Sequence, residues 1–427
     1  MNSIASLLQV FGNRKMVVIL FLGFASGLPL LLTSKTLQAW MTDAKVSLAA
    51  VGAFSLVALP YSLKFLWSPF LDRFVPPFLG RRRGWLVITQ VLLMVTIGLL
   101  ALQQPEKNLQ WVAIVAILIA FFSATQDIAV DAYRTDVLEP LEMGAGAAIY
   151  VLGYRIALLV TGSLALILAD RIPWSMVYLL MAASMAIGLV TTLLAPEPDT
   201  DVQPPESLQA AVVMPFQEFF QRSGVGQAIA VLVFIVLYKL GDALINNMAT
   251  PFLLTTGFTK TDIGAIQGGM GLLATIVGTL LGGAILSKLG INRSLWVFGG
   301  LQALSNFAYL ALAIVGRDYP LMIVAINIEN FCGGLGTAAF VAFLMSQCDR
   351  RFSATQFALL SSLMAVSRDV LVAPAGRLAE LTGWVPFFLI TIVLALPGLA
   401  LLPIFAPWTP APVPVTVDDY KQASPPE

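Results

Sequence analysis

The most constraining feature of the sequence is a series of twelve apolar segments, each long enough to form a membrane-crossing helix. A helix of about 20 residues crosses the hydrocarbon core of a bilayer. Only 11% of the residues are charged, whereas a soluble domain is typically about 25% charged. The sequence therefore predicts an all-α polytopic membrane protein, whose spans 1 to 12 cover residues 16–38, 48–71, 84–103, 109–133, 144–169, 172–195, 225–253, 262–287, 294–316, 319–347, 354–381 and 384–406.

The two halves of the chain repeat one another at an offset near 212 residues. Arg155 aligns with Arg368, and Trp174 aligns with Trp384. A parallel repeat of two six-span halves is the layout of the major facilitator superfamily. We therefore expect the major facilitator fold, with 12 transmembrane helices in two pseudo-symmetric six-helix halves. The predicted units are an N-terminal half over 1–195, a linker over 196–223, a C-terminal half over 224–407 and a tail over 408–427.

The linker and the loop charges set the expected orientation. Prolines and five acidic residues against one arginine indicate a solvated linker between spans 6 and 7. If the N-terminus is cytoplasmic, thirteen Lys and Arg residues lie on the cytoplasmic side and five on the other. Because basic loops stay in the cytoplasm, we expect both termini, the linker and the tail to be cytoplasmic.

Charge also separates outer spans from inner ones. Spans 3, 6, 9 and 12 contain no charged residue. A helix that faces lipid must exclude charge, whereas one that lines a watery cavity can keep it. The sequence predicts that every third span is an outer support and that most of the others line a central cavity.

Eight charged residues fall near the middle of the predicted spans. Each would cost about 2.5–3.5 kcal/mol if it faced lipid without a partner. They either form pairs that lock helices together or line a polar cavity, and we favour the cavity for the set as a whole. The bases are Lys64, Arg155, Lys239 and Arg368, and the acids are Asp127, Asp242, Glu329 and Asp369.

Proton chemistry in this chain must depend on carboxyl groups, because the sequence contains no histidine. The candidates for proton coupling are Asp127, Asp242 and Glu329. Asp242 lies three residues after Lys239 on the same helical face, so the two form either a locking pair or a pair that protonation separates. Polar and aromatic residues on the inner spans are candidates for substrate binding: Ser26, Thr33, Lys64, Gln126, Tyr150, Arg155, Lys239, Asn246, Asn330 and Arg368.

The loop after span 2 resembles the facilitator signature, in which an acid is followed by glycine and a basic cluster. The resemblance implies that Asp72 meets the start of span 11 and latches the cytoplasmic side. The predicted gating residues are Asp72, Arg73, Asp131 and Arg134. No phosphate loop, metal-ligand spacing or nucleophile–base pair is present, so we expect neither an enzyme nor a cofactor, metal or nucleic-acid site.

Seven segments resemble the AmpG family of muropeptide permeases. They are Gly23–Trp40, Lys64–Trp85, Ser123–Leu138, Gly144–Arg155, Tyr238–Ala243, Glu329–Gly336 and Phe352–Leu360. The well-known members carry two further C-terminal spans, whereas a proline-rich segment, Pro407–Glu427, follows span 12 here.

The resemblance implies a monomeric proton symporter in the bacterial inner membrane, with a role in β-lactam resistance. Its implied substrates are 1,6-anhydro-muropeptides (GlcNAc-anhydroMurNAc with or without stem peptide), imported from periplasm to cytoplasm for peptidoglycan recycling. Two alternatives stay open: a facilitator for another solute such as acetyl-CoA, or a membrane sensor that transports nothing.

Overall fold

The computed structural model describes residues 13–46, 54–198, 204–366, 371–372 and 374–408. Every regular element in these ranges is helical, which confirms the predicted all-α class. The spans comprise Arg14–Leu32 and Lys35–Asp43 (span 1); Phe54–Ala58, Leu59–Leu63, Lys64–Leu66 and Ser68–Arg73 (span 2); Gly80–Ala101 (span 3); Leu109–Val137 (span 4); Met143–Leu158, Leu159–Leu164 and Ala165–Ala169 (span 5); Trp174–Leu194 (span 6); Val225–Leu237 and Leu240–Thr255 (span 7); Lys260–Ile263, Gly264–Gly271 and Leu272–Val315 (spans 8 and 9); Tyr319–Ser346 (span 10); Ser353–Val366 and Ala375–Thr382 (span 11); and Trp384–Phe405 (span 12).

Nine helices within the described ranges are long and apolar enough to cross a membrane. One of them, Ala265–Val315, contains both span 8 and span 9. The two spans join at Gly290, whose φ of 76° reverses the chain and is readily adopted by glycine. Spans 2 and 11 are divided into shorter helices, which brings the total to the predicted twelve.

Three inner spans have irregular backbone near the centre of the bundle. Span 1 breaks at Thr33, whose hydroxyl donates to the carbonyl oxygens of Pro29 and Leu30, at 3.2 Å each. Span 2 consists of short helical pieces, and span 7 is interrupted between Leu237 and Leu240. Non-helical backbone at membrane depth is tolerated where protein or a watery cavity surrounds it, so these breaks indicate a polar centre.

The outer spans behave as their lack of charge predicts. Spans 3 and 6 pack together and share a buried hydrogen bond, from the Thr192 hydroxyl to the Gln90 side-chain oxygen at 2.9 Å. Their outward faces carry exposed Val95 and Val190, and span 12 likewise exposes Val393. These apolar faces suit contact with lipid.

The linker between the halves differs from the sequence expectation, because much of it is a helix, Leu208–Ser223. Ser207 caps this linker helix by accepting from the backbone N–H of Ala210 at 3.0 Å. Ala211, Pro215 and Phe219 are buried. Their spacing of four residues places them on one helical face, which packs on the bundle. Because prolines and acidic residues near its start indicate a solvated segment, the sequence did not predict this helix.

Close packing of spans 1 and 5 yields a prediction for stability. A Cβ on Gly153 would overlap the carbonyl oxygen of Leu20, whereas a Cβ on Gly98 would meet no heavy atom within 4 Å. Overpacking typically costs about 1–3 kcal/mol. We expect Gly153→Leu to lower the thermal unfolding midpoint in detergent, and the matched control Gly98→Leu to leave it unchanged. Equal midpoints for the two variants would contradict this packing.

Candidate substrate cavity and gate

A polar cavity of about 240 Å³ lies between the two halves of the bundle. Four predicted site residues from span 7 and span 10 line it, together with Arg155 from span 5. Asn246 is exposed, so the cavity is accessible to solvent. The lining residues are Arg155, Asp242, Asn246, Thr275, Glu329, Asn330, Gly333 and Thr337.

The side-chain amide of Asn246 joins two carboxyl groups from different spans. Its Nδ2 donates to Asp242 Oδ1 at 3.1 Å and to Glu329 Oε1 at 3.2 Å. Asp242 lies in the first turn of the second part of span 7, where the helix dipole favours a negative charge. Glu329 is buried, with only 3% of its surface exposed. Two of the three predicted proton-coupling residues therefore meet at one point.

Lys239 lies beside this pair, at the break in span 7. Its ammonium donates to Asp242 Oδ2 at 3.3 Å, to Gln302 Oε1 at 3.0 Å and to the Gly333 carbonyl at 3.4 Å. An ammonium has three N–H donors, so these acceptors satisfy all of them. In this conformation Lys239 is bound within the protein, and its predicted contact with substrate stays a prediction.

A second polar cluster lies in the N-terminal half. Asp131 of span 4 accepts from Lys64 at 3.3 Å and from Arg134. The Arg134 guanidinium packs 3.9 Å from the ring centroid of Tyr150. Asp127 lies one turn before Asp131 and interacts electrostatically with Lys64. Lys64 and Tyr150, predicted to bind substrate, thus contact the two predicted gating residues Asp131 and Arg134.

The other predicted site residues are placed as follows. Ser26 and Gln126 are buried in the N-terminal half. Thr33 bonds to the backbone of its own helix. Arg73 ends span 2 and packs near the Phe74 ring. Arg368 lies outside the described residues, and so does Asp369.

Asp72, near the end of span 2, contacts the start of span 11, as the facilitator resemblance implied. Its carboxylate accepts from the backbone N–H groups of Ala354 at 3.3 Å and Thr355 at 2.8 Å. It also accepts from Arg82 Nη2 at 3.1 Å, and it is fully buried. A carboxylate at a helix N-terminus is favoured both by the free N–H groups and by the helix dipole. This contact joins the two halves.

The arginines after Asp72 extend the contact between the halves. Arg82 donates to Asp136 Oδ2 and to the Ser353 hydroxyl, at 2.6 Å each, and is 1% exposed. Arg81 donates to two backbone carbonyls just before span 11. We call this end of the bundle the basic face. Both described chain ends lie there, since Arg14 contacts Leu194 O and Arg293 contacts Trp408 O.

Five hydrogen bonds between spans 1–6 and spans 7–12 lie at the basic face. Close packing accompanies them there. A Cβ on Gly144 of span 5 would lie 2.6 Å from Leu286 of span 8, and one on Gly283 would lie 2.6 Å from the Gly144 carbonyl. The structure is therefore closed at the basic face.

Several residues of these networks were not predicted from the sequence. Gln302 is uncharged and lies on span 9, which contains no charged residue. Arg82 and Asp136 lie at a span end, so their burial was not predicted. Glu197, assigned to the solvated linker, accepts from the backbone N–H groups of Arg82 at 3.2 Å and Arg83 at 3.4 Å. Burial raises the pKa of the Glu197 carboxyl.

Comparison with known proteins decides the family. Residues 37–370 match the model of the Major Facilitator Superfamily. The chain belongs to this superfamily of membrane transporters. It is also 50% identical over 397 residues to the anhydromuropeptide permease of Escherichia coli strain K12, covering 92% of this chain and 80% of the relative. This match confirms the resemblance to the AmpG family.

Two further relatives have similar extents. An uncharacterized protein of Haemophilus influenzae is 43% identical over 410 residues, covering 94% of this chain and 96% of the relative. The putative transporter AmpG 4 of Rickettsia felis is 34% identical over 404 residues, covering 92% and 97%. The AmpG likeness therefore extends over nearly the whole chain.

Solved structures support the facilitator fold. FucP in the outward conformation aligns with a TM-score of 0.69 and 12% identity, covering 91% of this chain and 97% of FucP. The proton:xylose symporter XylE aligns with a TM-score of 0.67 and 13% identity, covering 93% and 96%. At these identities the likeness concerns the fold alone.

The gate yields a prediction about conformation. Asp72→Asn removes the charge that binds the span 11 N-terminus and Arg82, and hydrogen bonds to charged groups contribute about 1.5–3 kcal/mol. We expect at least a tenfold shift toward a basic face that is open. Spin labels at Leu141→Cys and Leu289→Cys, with the native cysteines replaced, would report a larger population of long distances.

A helix cap at the opposite face supplies the control for this experiment. Asp318 Oδ1 accepts from the backbone N–H of Leu321, on its own helix, at 2.8 Å. Within the described ranges it makes no hydrogen bond to the first half. Asp318→Asn should leave the distance distribution unchanged. An unchanged distribution in Asp72→Asn as well would show that Asp72 does not hold the basic face closed.

Proposed function

We propose that the protein imports 1,6-anhydro-muropeptides from periplasm to cytoplasm for peptidoglycan recycling, driven by the proton gradient and working by alternating access. The observation that carries the proposal is the cavity in which Asp242 and Glu329 share Asn246 while Arg155 lines the same space. The name of the E. coli relative, an anhydromuropeptide permease, supports the substrate class.

The lining of the cavity suits the chemistry of such a substrate. A stem peptide carries carboxylates, which a guanidinium binds with two parallel hydrogen bonds. Arg155 is the group in the described lining that can do this. Sugar hydroxyls and N-acetyl groups need donors and acceptors, which Asn246, Asn330 and Thr275 supply. Asn330 already accepts from the Thr275 hydroxyl at 3.0 Å.

Proton coupling is assigned to the paired carboxyl groups. Two carboxyl groups that contact one amide can share a proton, because neighbouring negative charges repel one another. Protonation of the pair from the periplasm weakens the hold of Asp242 on Lys239. Substrate and proton then bind in the same step of the transport cycle. Asp127, beside Lys64, is the corresponding candidate in the N-terminal half.

The position of the closed gate supports the proposal of alternating access. Basic loops favour the cytoplasm, so we place the basic face there. The cavity then faces the periplasm while Asp72 and the arginines close the cytoplasmic side. Release of substrate requires that these contacts separate and that the opposite ends of the halves come together.

Uptake into proteoliposomes tests the coupling. With labelled substrate and an imposed inward proton gradient, we expect the unmodified protein to accumulate it. We expect Glu329→Gln, Asp242→Asn or Asp127→Asn to reduce accumulation at least tenfold while substrate exchange at equal pH continues. Glu380→Gln alters an exposed carboxyl and serves as the control. Full accumulation in the Glu329, Asp242 and Asp127 variants would refute the carboxyl assignment.

Substrate class is tested by competition. Unlabelled anhydro-muropeptide should inhibit the uptake of labelled substrate, whereas acetyl-CoA at the same concentration should not. Uptake of labelled acetyl-CoA without uptake of labelled anhydro-muropeptide would favour the other transporter function. No flux of either solute would favour a sensor.

Arg155 yields a prediction about the stem peptide. Loss of a charge-assisted hydrogen bond costs about 1.5–3 kcal/mol, so Arg155→Gln should raise KM at least tenfold for a substrate with a stem peptide. KM for the peptide-free disaccharide should change little. Arg171 is exposed, and Arg171→Gln should affect neither substrate. Equal losses for both substrates would exclude carboxylate recognition by Arg155.

A further inference from the structure

A buried glutamine on an outer span contacts the lysine of the coupling cluster. Gln302 of span 9 is 6% exposed, and its Oε1 accepts from Lys239 Nζ at 3.0 Å. Span 10 makes room for this contact with a glycine. A Cβ on Gly336 would overlap Gln302 Oε1 and would lie 3.3 Å from Lys239 Nζ. The amide of Gln302 thus occupies the space beside Gly336 and contacts the Lys239 ammonium there, which is a specific contact and not general packing.

Gln302 affects how strongly Lys239 depends on Asp242. Of the three acceptors around the ammonium, Asp242 Oδ2 carries charge, whereas Gln302 Oε1 and the Gly333 carbonyl are neutral dipoles. When Asp242 loses its charge, the two neutral acceptors still hold the ammonium in place. A buried charge without acceptors is costly, so Gln302 lowers the cost of protonating the carboxyl pair.

The sequence repeat shows that this use of the glutamine is confined to one half. Gln90 lies 212 residues before Gln302, at the repeat offset, on the equivalent outer span of the N-terminal half. It is also fully buried, but its Oε1 accepts from the Thr192 hydroxyl at 2.9 Å. One repeat position thus supports an outer helix pair in the first half and contacts Lys239 in the second.

We propose that Gln302 is a positioning residue for proton coupling, which holds Lys239 so that the Asp242–Glu329 pair can gain and lose a proton without displacing the lysine. The inference rests on the proposed function, because it concerns the coupling carboxyl groups of that function. Gln302 does not line the cavity, so it acts through its contact with Lys239 and not by touching the substrate.

The charged and titratable groups around Lys239 come from four spans. Asp242 lies on its own span, Glu329 and the Cys332 thiol lie on span 10, and Arg155 lines the same cavity from span 5. Tyr309 of span 9 interacts electrostatically with Glu329. Since Gln302 itself is neutral and contacts the lysine directly, substitutions there change the field at Lys239 without removing any of these groups.

Two substitutions at position 302 should move the pH dependence of uptake in opposite directions. Gln302→Glu gives Lys239 a second anionic partner, so Asp242 is freed and the carboxyl pair takes up its proton at higher pH. Gln302→Leu removes a neutral acceptor, so Lys239 depends more on Asp242 and protonation requires lower pH. We expect the proton concentration at half-maximal uptake to change about three- to tenfold, downward for Glu and upward for Leu.

A third variant protects the test against misfolding at position 302. Gly336→Ala displaces the flexible end of Gln302 from Lys239 without altering its chemistry, and should behave as Gln302→Leu does. Gln90→Glu and Gln90→Leu are matched controls, since Gln90 contacts no ionisable side chain among the described residues. They should lower the amount of folded protein but leave the pH of half-maximal uptake unchanged.

The outcomes separate this inference from the proposed function. If the unmodified protein accumulates substrate with the proton gradient and the Gln302 variants shift as stated, both stand. If it accumulates substrate but the variants only lower the uptake rate at every pH, Gln302 is structural and the inference is wrong. If the unmodified protein shows no dependence on the proton gradient, the proposed coupling fails first.

Discussion

The cost of a charge in the membrane interior governs the arrangement of this structure. Removing an ion from water costs several kcal/mol unless a partner and hydrogen bonds replace the lost hydration. The described charges within the spans accordingly gather in the C-terminal cluster around Lys239, in the N-terminal cluster around Asp131 and at the gate around Arg82. In the proposed transport cycle these groups rearrange, so the pairs that stabilise one conformation also oppose leaving it.

The span number, the outer spans and the polar cavity could be predicted from the sequence. Hydrophobic length sets the number of crossings, and absence of charge marks the lipid-facing helices. Asp242, Asn246 and Glu329 converge as the placement of polar residues suggested. These features follow from solvation, which acts on each segment separately, and a single sequence records it well.

Partner choice could not be predicted in the same way. Lys64 lies near both Asp127 and Asp131, yet it is Asp131 that forms the ion pair. Lys239 has a neutral acceptor from span 9 that no count of charges would find. Such contacts depend on helix rotation and on glycines that allow close approach, which composition and spacing do not determine. The linker helix was missed because its apolar stripe is short.

The linker helix has a mechanical consequence for the opening of the basic face. Gln356 of span 11 donates to the Pro215 carbonyl at 3.0 Å and to Glu218 at 2.7 Å, so the helix is attached to the second half. Its 16 residues span about 24 Å as a helix, whereas an extended chain of that length would reach about 55 Å. The helical part of the connection is therefore a short strut fixed to the second half, and it cannot lengthen while these hydrogen bonds hold.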